Sequence, residues 1–241
     1  MDCKMVFESK AGLKISGRMF KPDMKKEKYP VVIFSHGFNG CYAYQEQYGF
    51  EFSDAGICCF MFDFCGGGVN STSDGNMLDM TVQSECDDLE AVIRNIKALD
   101  YVDSERIYLW GESQGGFVSA LVAAKLQEQI SGLILWFPAF VIPDGAKSRH
   151  EAGIHEVFGV QISKRFDEEA MLIDIYEKLA QYKKPVLIIH GDQDETVPVS
   201  YSVRAAEICE NAELIVVPGA GHGFEEQDAK MARERTIAFV K

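Results

Sequence analysis

The stretch Leu109-Trp110-Gly111-Glu112-Ser113-Gln114-Gly115-Gly116-Phe117 constrains this chain more than any other. It spells G-x-S-x-G between two contrasting sequences. Before it, Arg106 to Trp110 is β-branched and aromatic, as in a short buried strand; after it, Gly116 to Lys125 is rich in Ala, Val and Leu, as in a packed helix. A reversal from strand to helix within so few residues forces the central Ser113 toward strained backbone angles, at a cost of about 1–3 kcal/mol. A Cβ at position 111 or 115 would collide with the neighbouring elements, which accounts for the flanking glycines. The first helical turn leaves N–H groups free at the same spot, so the Gln114 amide is a candidate donor to a developing negative charge. A buried small-residue turn with a structural serine is the competing reading of this stretch alone.

The rest of the chain alternates strand and helix. Lys4–Ser9 and Leu13–Phe20 flank Ala11-Gly12 as a hairpin. Pro30–Ser35, Ile57–Phe62, Gly132–Phe137 and Pro185–His190 are continuous apolar runs, as expected of strands covered on both faces. Leu214–Val217 reads as one more strand. Tyr44–Ala55, the stretch from Thr81 with Val82, Cys86, Leu89, Ile93 and Ile96 at helical spacing, Ser200–Cys209 and Glu226–Val240 read as helices. This order predicts an α/β fold with a mostly parallel central sheet and helices on both faces. Residues 1–241 are expected to form a single domain, interrupted at about 138–184 by a lid or cap insertion that holds His150, His155 and a helix over Glu168–Tyr182. Excursions longer than ~12–15 residues usually serve a function.

In open α/β sheets, functional groups gather at the carboxyl ends of the strands. A serine needs a base, and the base an orienting acid. The loop after Leu214–Val217 supplies His222 between Gly221 and Gly223, and the loop after Pro185–His190 supplies Asp192 and Asp194. Asp194 is preferred as the acid because it stands beyond the turn, where it can point back; Asp192 is expected to cap that turn. His190, at a strand end, is expected to be satisfied within the core. The order Ser113, Asp194, His222 follows. A second oxyanion donor is expected from His36-Gly37-Phe38, where Gly37 permits the bend and the Phe38 amide would face that of Gln114. The Gly66-Gly67-Gly68 run has no Gly-Lys-Ser/Thr and no basic neighbour, so it predicts a pocket rim rather than a phosphate loop.

Together, His36-Gly37-Phe38, the Gly111–Gly116 elbow, Gly191-…-Asp194-…-Val197-Pro198 and Gly221-His222-Gly223-Phe224 resemble the α/β-hydrolase superfamily across nearly the whole chain. More narrowly, the Phe62-Asp63-Phe64 segment before the glycines and the Ser-Gln-Gly-Gly elbow resemble bacterial feruloyl and cinnamoyl esterases. That resemblance implies a serine carboxylesterase with catalytic Ser113, His222 and Asp194 and oxyanion amides of Phe38 and Gln114. Asp144, in the insertion, is the nearest residue for gripping a substrate hydroxyl. The longer glycine loop, with Cys65 in it, and the shorter insertion depart from those esterases.

Charge sets the expected partners. A net charge of -13 argues against nucleic acid and anionic membranes, and favours a small neutral ester. No metal-ligand spacing occurs and neither a metal nor an organic cofactor is implied. The seven scattered cysteines without a C-x-x-C pair, and an N-terminal stretch without an apolar signal core, lead us to expect reduced thiols in a cytoplasmic protein; self-association is left open. A prolyl-oligopeptidase-like peptidase, a thioester or lactone hydrolase and a non-catalytic binding protein are the rival functional readings.

Overall fold

The computed structural model describes residues 1–24 and 26–241. Strands β1 (Asp2–Glu8) and β2 (Lys14–Phe20) form the antiparallel hairpin at one edge of the sheet. Then come β3 (Tyr29–Ser35), helix α1 (Glu46–Asp54), β4 (Cys58–Phe62), α2 (Val82–Lys97), β5 (Val102–Glu112), α3 (Ser113–Lys125) and β6 (Gly132–Trp136). An excursion follows, made of α4 (Ile142–Ala152), the two-stranded β7 (Glu156–Val157) and β8 (Val160–Gln161), α5 (Lys164–Ala170) and α6 (Ile175–Gln181). The chain ends with β9 (Val186–Gly191), α7 (Ser200–Ile208), β10 (Ala212–Val217) and α8 (Glu226–Val240).

The sheet order is β1-β2-β4-β3-β5-β6-β9-β10, and from β4 to β10 all neighbours run parallel. The apolar runs form this sheet because both of its faces are covered. Along β3, Val31 and Ile33 face one core with Leu89, Val92, Phe117 and Leu133, whereas Val32 and Phe34 face the other with Phe52, Trp110, Trp136 and Ala232. Period-2 alternation thus sends alternate residues to α2, α3 and α6 on one side and to α1 and α8 on the other. Helix α3 is buried almost all round, in keeping with its run of small and aliphatic residues. Parallel register lines up the strand ends: Ser35 pairs with Gly111, Glu112 with Trp136, and Gly191 with Val217. One edge of the sheet therefore collects the loops after β3, β5, β6, β9 and β10.

One expectation is corrected here. The helix expected over Glu168–Tyr182 is two helices, because the Asp174 side chain accepts hydrogen bonds from the Tyr176 and Glu177 amides at 3.0 Å and starts α6 afresh. α6 then packs on α3 as part of the domain layer, so the part of the excursion over the sheet edge is α4 to α5. Cys65 and Gly75, which bracket the glycine run and its polar loop, line a cavity of about 350 Å³, and the run itself packs on backbone. It stands behind the β3 loop, where a Cβ on Gly68 would lie 2.2 Å from the Gly40 carbonyl oxygen. Among the described residues, no helix is long and apolar enough to cross a membrane. The cysteines are unpaired, and all but Cys3 are buried.

Candidate active site

Ser113 opens α3 with φ at +50°, in the left-handed region that side chains other than glycine seldom adopt. Its neighbours enforce this. A Cβ on Gly111 would lie 2.2 Å from the Gly115 carbonyl oxygen, and one on Gly115 would lie 2.1 Å from that of Ser35. Backbone therefore packs on backbone around the serine. The Ala139 amide, from the loop after β6, donates to the Ser113 carbonyl at 2.9 Å and holds the turn from the other side.

The strained turn aims the serine at the β10 loop. Ser113 Oγ lies 2.9 Å from His222 Nε2, and His222 Nδ1 lies 2.7 Å from Asp194 Oδ2. Asp194 is buried and fully occupied. Its Oδ1 accepts from the Thr196 and Val197 amides at 2.9 and 2.8 Å, and its Oδ2 also faces His190 Nε2 at 3.1 Å. Asp192 instead accepts from the Gly219 amide at 2.7 Å and is exposed, so it ties the β9 loop to the β10 loop.

His190 is more than a satisfied core residue. With Nε2 shared between Asp194 and the Val197 carbonyl at 2.9 Å, and Nδ1 against Ser202 Oγ at 2.7 Å, it clamps the acid from beneath. Burial lowers its pKa, which keeps the ring neutral, and the contact with the Val197 carbonyl assigns the proton to Nε2. The available sequence signal was its position four residues before Asp194, at the end of the strand that feeds that loop.

On the other side of Ser113 lies the loop after β3. A Cβ on Gly37 would come within 3.2 Å of Ser113 Cβ, so Gly37 and Phe38 run directly against the serine. His36 secures this loop. Its Nδ1 contacts the Gly37 carbonyl at 2.7 Å, and its Nε2 accepts from the Phe64 amide at 3.1 Å. Burial lowers the His36 pKa as well. Gln114 is the second residue of α3, where a backbone amide has no partner within the helix. Its side chain donates from Nε2 to Glu85 Oε2 at 2.8 Å in a fully buried contact with α2. Burial pushes the Glu85 carboxyl up to about 8.

Two cavities meet at Ser113. One, of about 340 Å³, lies beneath the excursion and is mostly apolar, lined by Phe38, Gln114, Ile142, Val157 and Phe166 among others. The second, of about 380 Å³, opens on the opposite side and is lined by Tyr48, Glu112, Trp136, His222 and Phe224 among others. Phe158, at the tip of the β7–β8 hairpin, borders both and packs edge-on to Phe38 at 6.4 Å between centroids. Asp144 is not brought to the site. It sits on the outer side of α4, exposed, and its Oδ2 accepts from the Tyr201 hydroxyl at 2.6 Å. Gly145 and Arg149 of the same helix line the apolar cavity instead, and Arg149 is committed to the buried Asp167 at 2.6 Å. Neither His150 nor His155 lines either cavity. Among the described residues, no cluster of three or more His, Cys, Asp or Glu side chains is placed to hold a metal ion.

The sheet order, the elbow on β5 and the loops at its edge define an α/β hydrolase. The prolyl oligopeptidase family model matches residues 45–241, and the chain belongs to that family. Residues 3–86 also match the model for acetyl xylan esterase (AXE1). An uncharacterized protein of Mycobacterium tuberculosis is 27% identical over 226 residues, which span 92% of this chain and 73% of the relative. Among solved structures, Est1E from Butyrivibrio proteoclasticus with ferulic acid bound superposes with a TM-score of 0.86 at 28% identity, over 98% of this chain and 97% of that one. The acetyl xylan esterase from Paenibacillus sp. R4 shares the fold with a TM-score of 0.79 at 19% identity, over 99% and 83% of the two chains.

Proposed function

We propose that the protein is a serine carboxylesterase that forms an acyl-enzyme on Ser113. The observation that carries this reading is the continuous chain of contacts Ser113 Oγ–His222 Nε2–Asp194 Oδ2 at 2.9 and 2.7 Å, set where the two cavities meet. The similarity to Est1E, solved with ferulic acid, and to acetyl xylan esterase supports an ester as substrate.

In this reading Ser113 Oγ attacks the ester carbonyl carbon as His222 Nε2 takes the hydroxyl proton. The carbonyl oxygen gains the negative charge and is held by the Phe38 and Gln114 amides, each worth about 10²–10³ in rate for such a donor. The C–O bond to the alcohol then breaks, and Nε2 returns the proton to the departing oxygen. Water repeats the sequence on the acyl-enzyme and frees Ser113. Asp194 holds Nδ1 protonated throughout. Because His222 must reach the leaving oxygen, the alcohol part belongs in the cavity that His222 lines. The acyl part then belongs in the apolar cavity under the excursion, a space suited to a cinnamoyl-type group.

Initial rates on p-nitrophenyl acetate and butyrate, methyl ferulate, a lactone and an aminoacyl p-nitroanilide test this. Ester turnover that falls by about 10⁴-fold or more in Ser113→Ala is expected. Ester turnover unchanged in Ser113→Ala refutes the mechanism. Faster cleavage of the anilide than of any ester would favour a peptidase, the second reading that family membership supports.

A further inference from the structure

The cavity on the His222 side holds one group that acyl transfer does not use. Glu112 immediately precedes Ser113 and is only 8% exposed. Strand alternation puts its side chain on the same face of the sheet as Trp110, toward α1 and α8, where the cavity lies. Among the described residues, no donor hydrogen-bonds this carboxyl and no cation pairs with it. The cation on that side, Arg233, pairs with Glu51 at 2.7 Å and Glu226 at 3.6 Å and lies across the Tyr48 ring at 4.4 Å; among the described residues its buried Nη1 has no partner, and no contact joins it to Glu112. Burial alone pushes the carboxyl up to about 8, the mark of an acid left without a partner.

An acid raised this far keeps its proton near neutral pH and gives it up when a positive charge comes beside it; the open side of Glu112 is the cavity, so that charge has to come from there. The other walls say what kind. Tyr48, Trp136 and Phe224 line the same space, and aromatic rings around an ionisable carboxyl suit an ammonium group. The chain's net charge of -13 would draw a cation toward the site.

We propose that this cavity binds an ammonium or trialkylammonium group, with Glu112 as its counter-ion and the aromatic side chains as its walls. Placing that group on the alcohol part of the ester rests on the esterase reading above. The substrate then carries a positive charge, in contrast to the neutral molecule expected from overall charge.

Two molecules of nearly equal shape separate charge from size: choline and 3,3-dimethylbutan-1-ol, in which carbon replaces the nitrogen. Calorimetric titration of the parent protein should show choline binding at least tenfold more tightly. Glu112→Gln should bring that ratio close to one, and Glu112→Asp should keep it well above one. Equal binding of the two alcohols by the parent protein, or an undiminished preference in Glu112→Gln, overturns the proposal. The parent comparison needs no substitution, so a misfolded variant leaves the test intact. Acetylcholine and 3,3-dimethylbutyl acetate extend it to turnover, where the ratio of their kcat/KM values should follow the binding ratio. If choline is preferred but neither of these esters nor any ester of the panel above is hydrolysed, the cation site stands and the esterase reading falls.

Discussion

Asp194→Asn is a sharp test because the surroundings dictate how the new amide must sit. Two backbone donors, Thr196 and Val197, converge on Oδ1 at 2.9 and 2.8 Å. The asparagine carbonyl must take that position, since the NH₂ group there would face two N–H groups and satisfy neither. The NH₂ group is then directed at His222 Nδ1, which lies 2.7 Å from Oδ2 in the parent, and at His190 Nε2. His222 has to turn Nδ1 into an acceptor and carry its proton on Nε2, the atom 2.9 Å from Ser113 Oγ. A base that already holds its proton cannot take another. The expected loss in kcat is about 10⁴-fold, or about 5.5 kcal/mol of barrier. The assay is kcat and kcat/KM on p-nitrophenyl acetate, with circular dichroism to confirm the fold. Asp192→Asn is the matched control, because among the described residues Asp192 accepts only from the Gly219 amide and the Gln193 side chain. Asp194→Asn activity within tenfold of the parent, or an equal loss in Asp192→Asn, refutes the reasoning.

Other substitutions probe the frame around this chain of contacts. Gly115→Ala places a Cβ 2.1 Å from the Ser35 carbonyl oxygen and 2.4 Å from that of His36, so thermal unfolding should show a loss of about 3 kcal/mol, or ~10 °C in Tm. His190→Ala strips a partner from Asp194, from Ser202 and from the Val197 carbonyl; it should cost about 2–4 kcal/mol and lower kcat, both read on one preparation. Glu85 predicts a pH effect. Its carboxyl is raised from 4.5 to about 8 by burial, so between those values the folded chain holds a proton that the unfolded chain has lost. Its contribution is therefore fully present below about pH 4.5 and falls by about 1.4 kcal/mol per pH unit up to about 8. Glu85→Gln removes that titration, and its stability relative to the parent, from urea unfolding, should rise between pH 5 and pH 8; a constant difference contradicts the assignment.

The sheet was legible because burying both faces demands uninterrupted apolar runs, such as Val31–Phe34 and Val186–Ile189, and these announce themselves in sequence. The residues around Ser113 were legible for a steric reason. Backbone packing at Gly111 and Gly115 permits no side chain, so the chemistry leaves a glycine signature. The groups that steady the site left none. His190 reads as a core histidine, Glu85 as one polar residue of an amphipathic helix, and Glu112 as the unspecified letter between glycine and serine; only tertiary packing turns them toward Asp194, Gln114 and the cavity. Asp144 failed as an expectation for the complementary reason. Helical geometry on α4 turns Arg149 and Gly145 inward and leaves Asp144 on the outside with Tyr201.

The two cavities differ in how freely they can be rebuilt. The one holding Glu112 and His222 is walled mainly by the ends of β5 and β6, the loops after β3 and β10 and the first helix, parts on which folding itself depends, with Phe158 reaching it from the excursion. The other borrows Ile142, Gly145, Arg149, Val157, Phe158 and Phe166 from one continuous segment, tied across by the Arg149–Asp167 pair. A change of acyl preference can thus be written into some two dozen adjacent codons, by drift or by recombination, with the reaction machinery carried over intact. A change of alcohol preference has no such shortcut, and must be negotiated with the fold residue by residue.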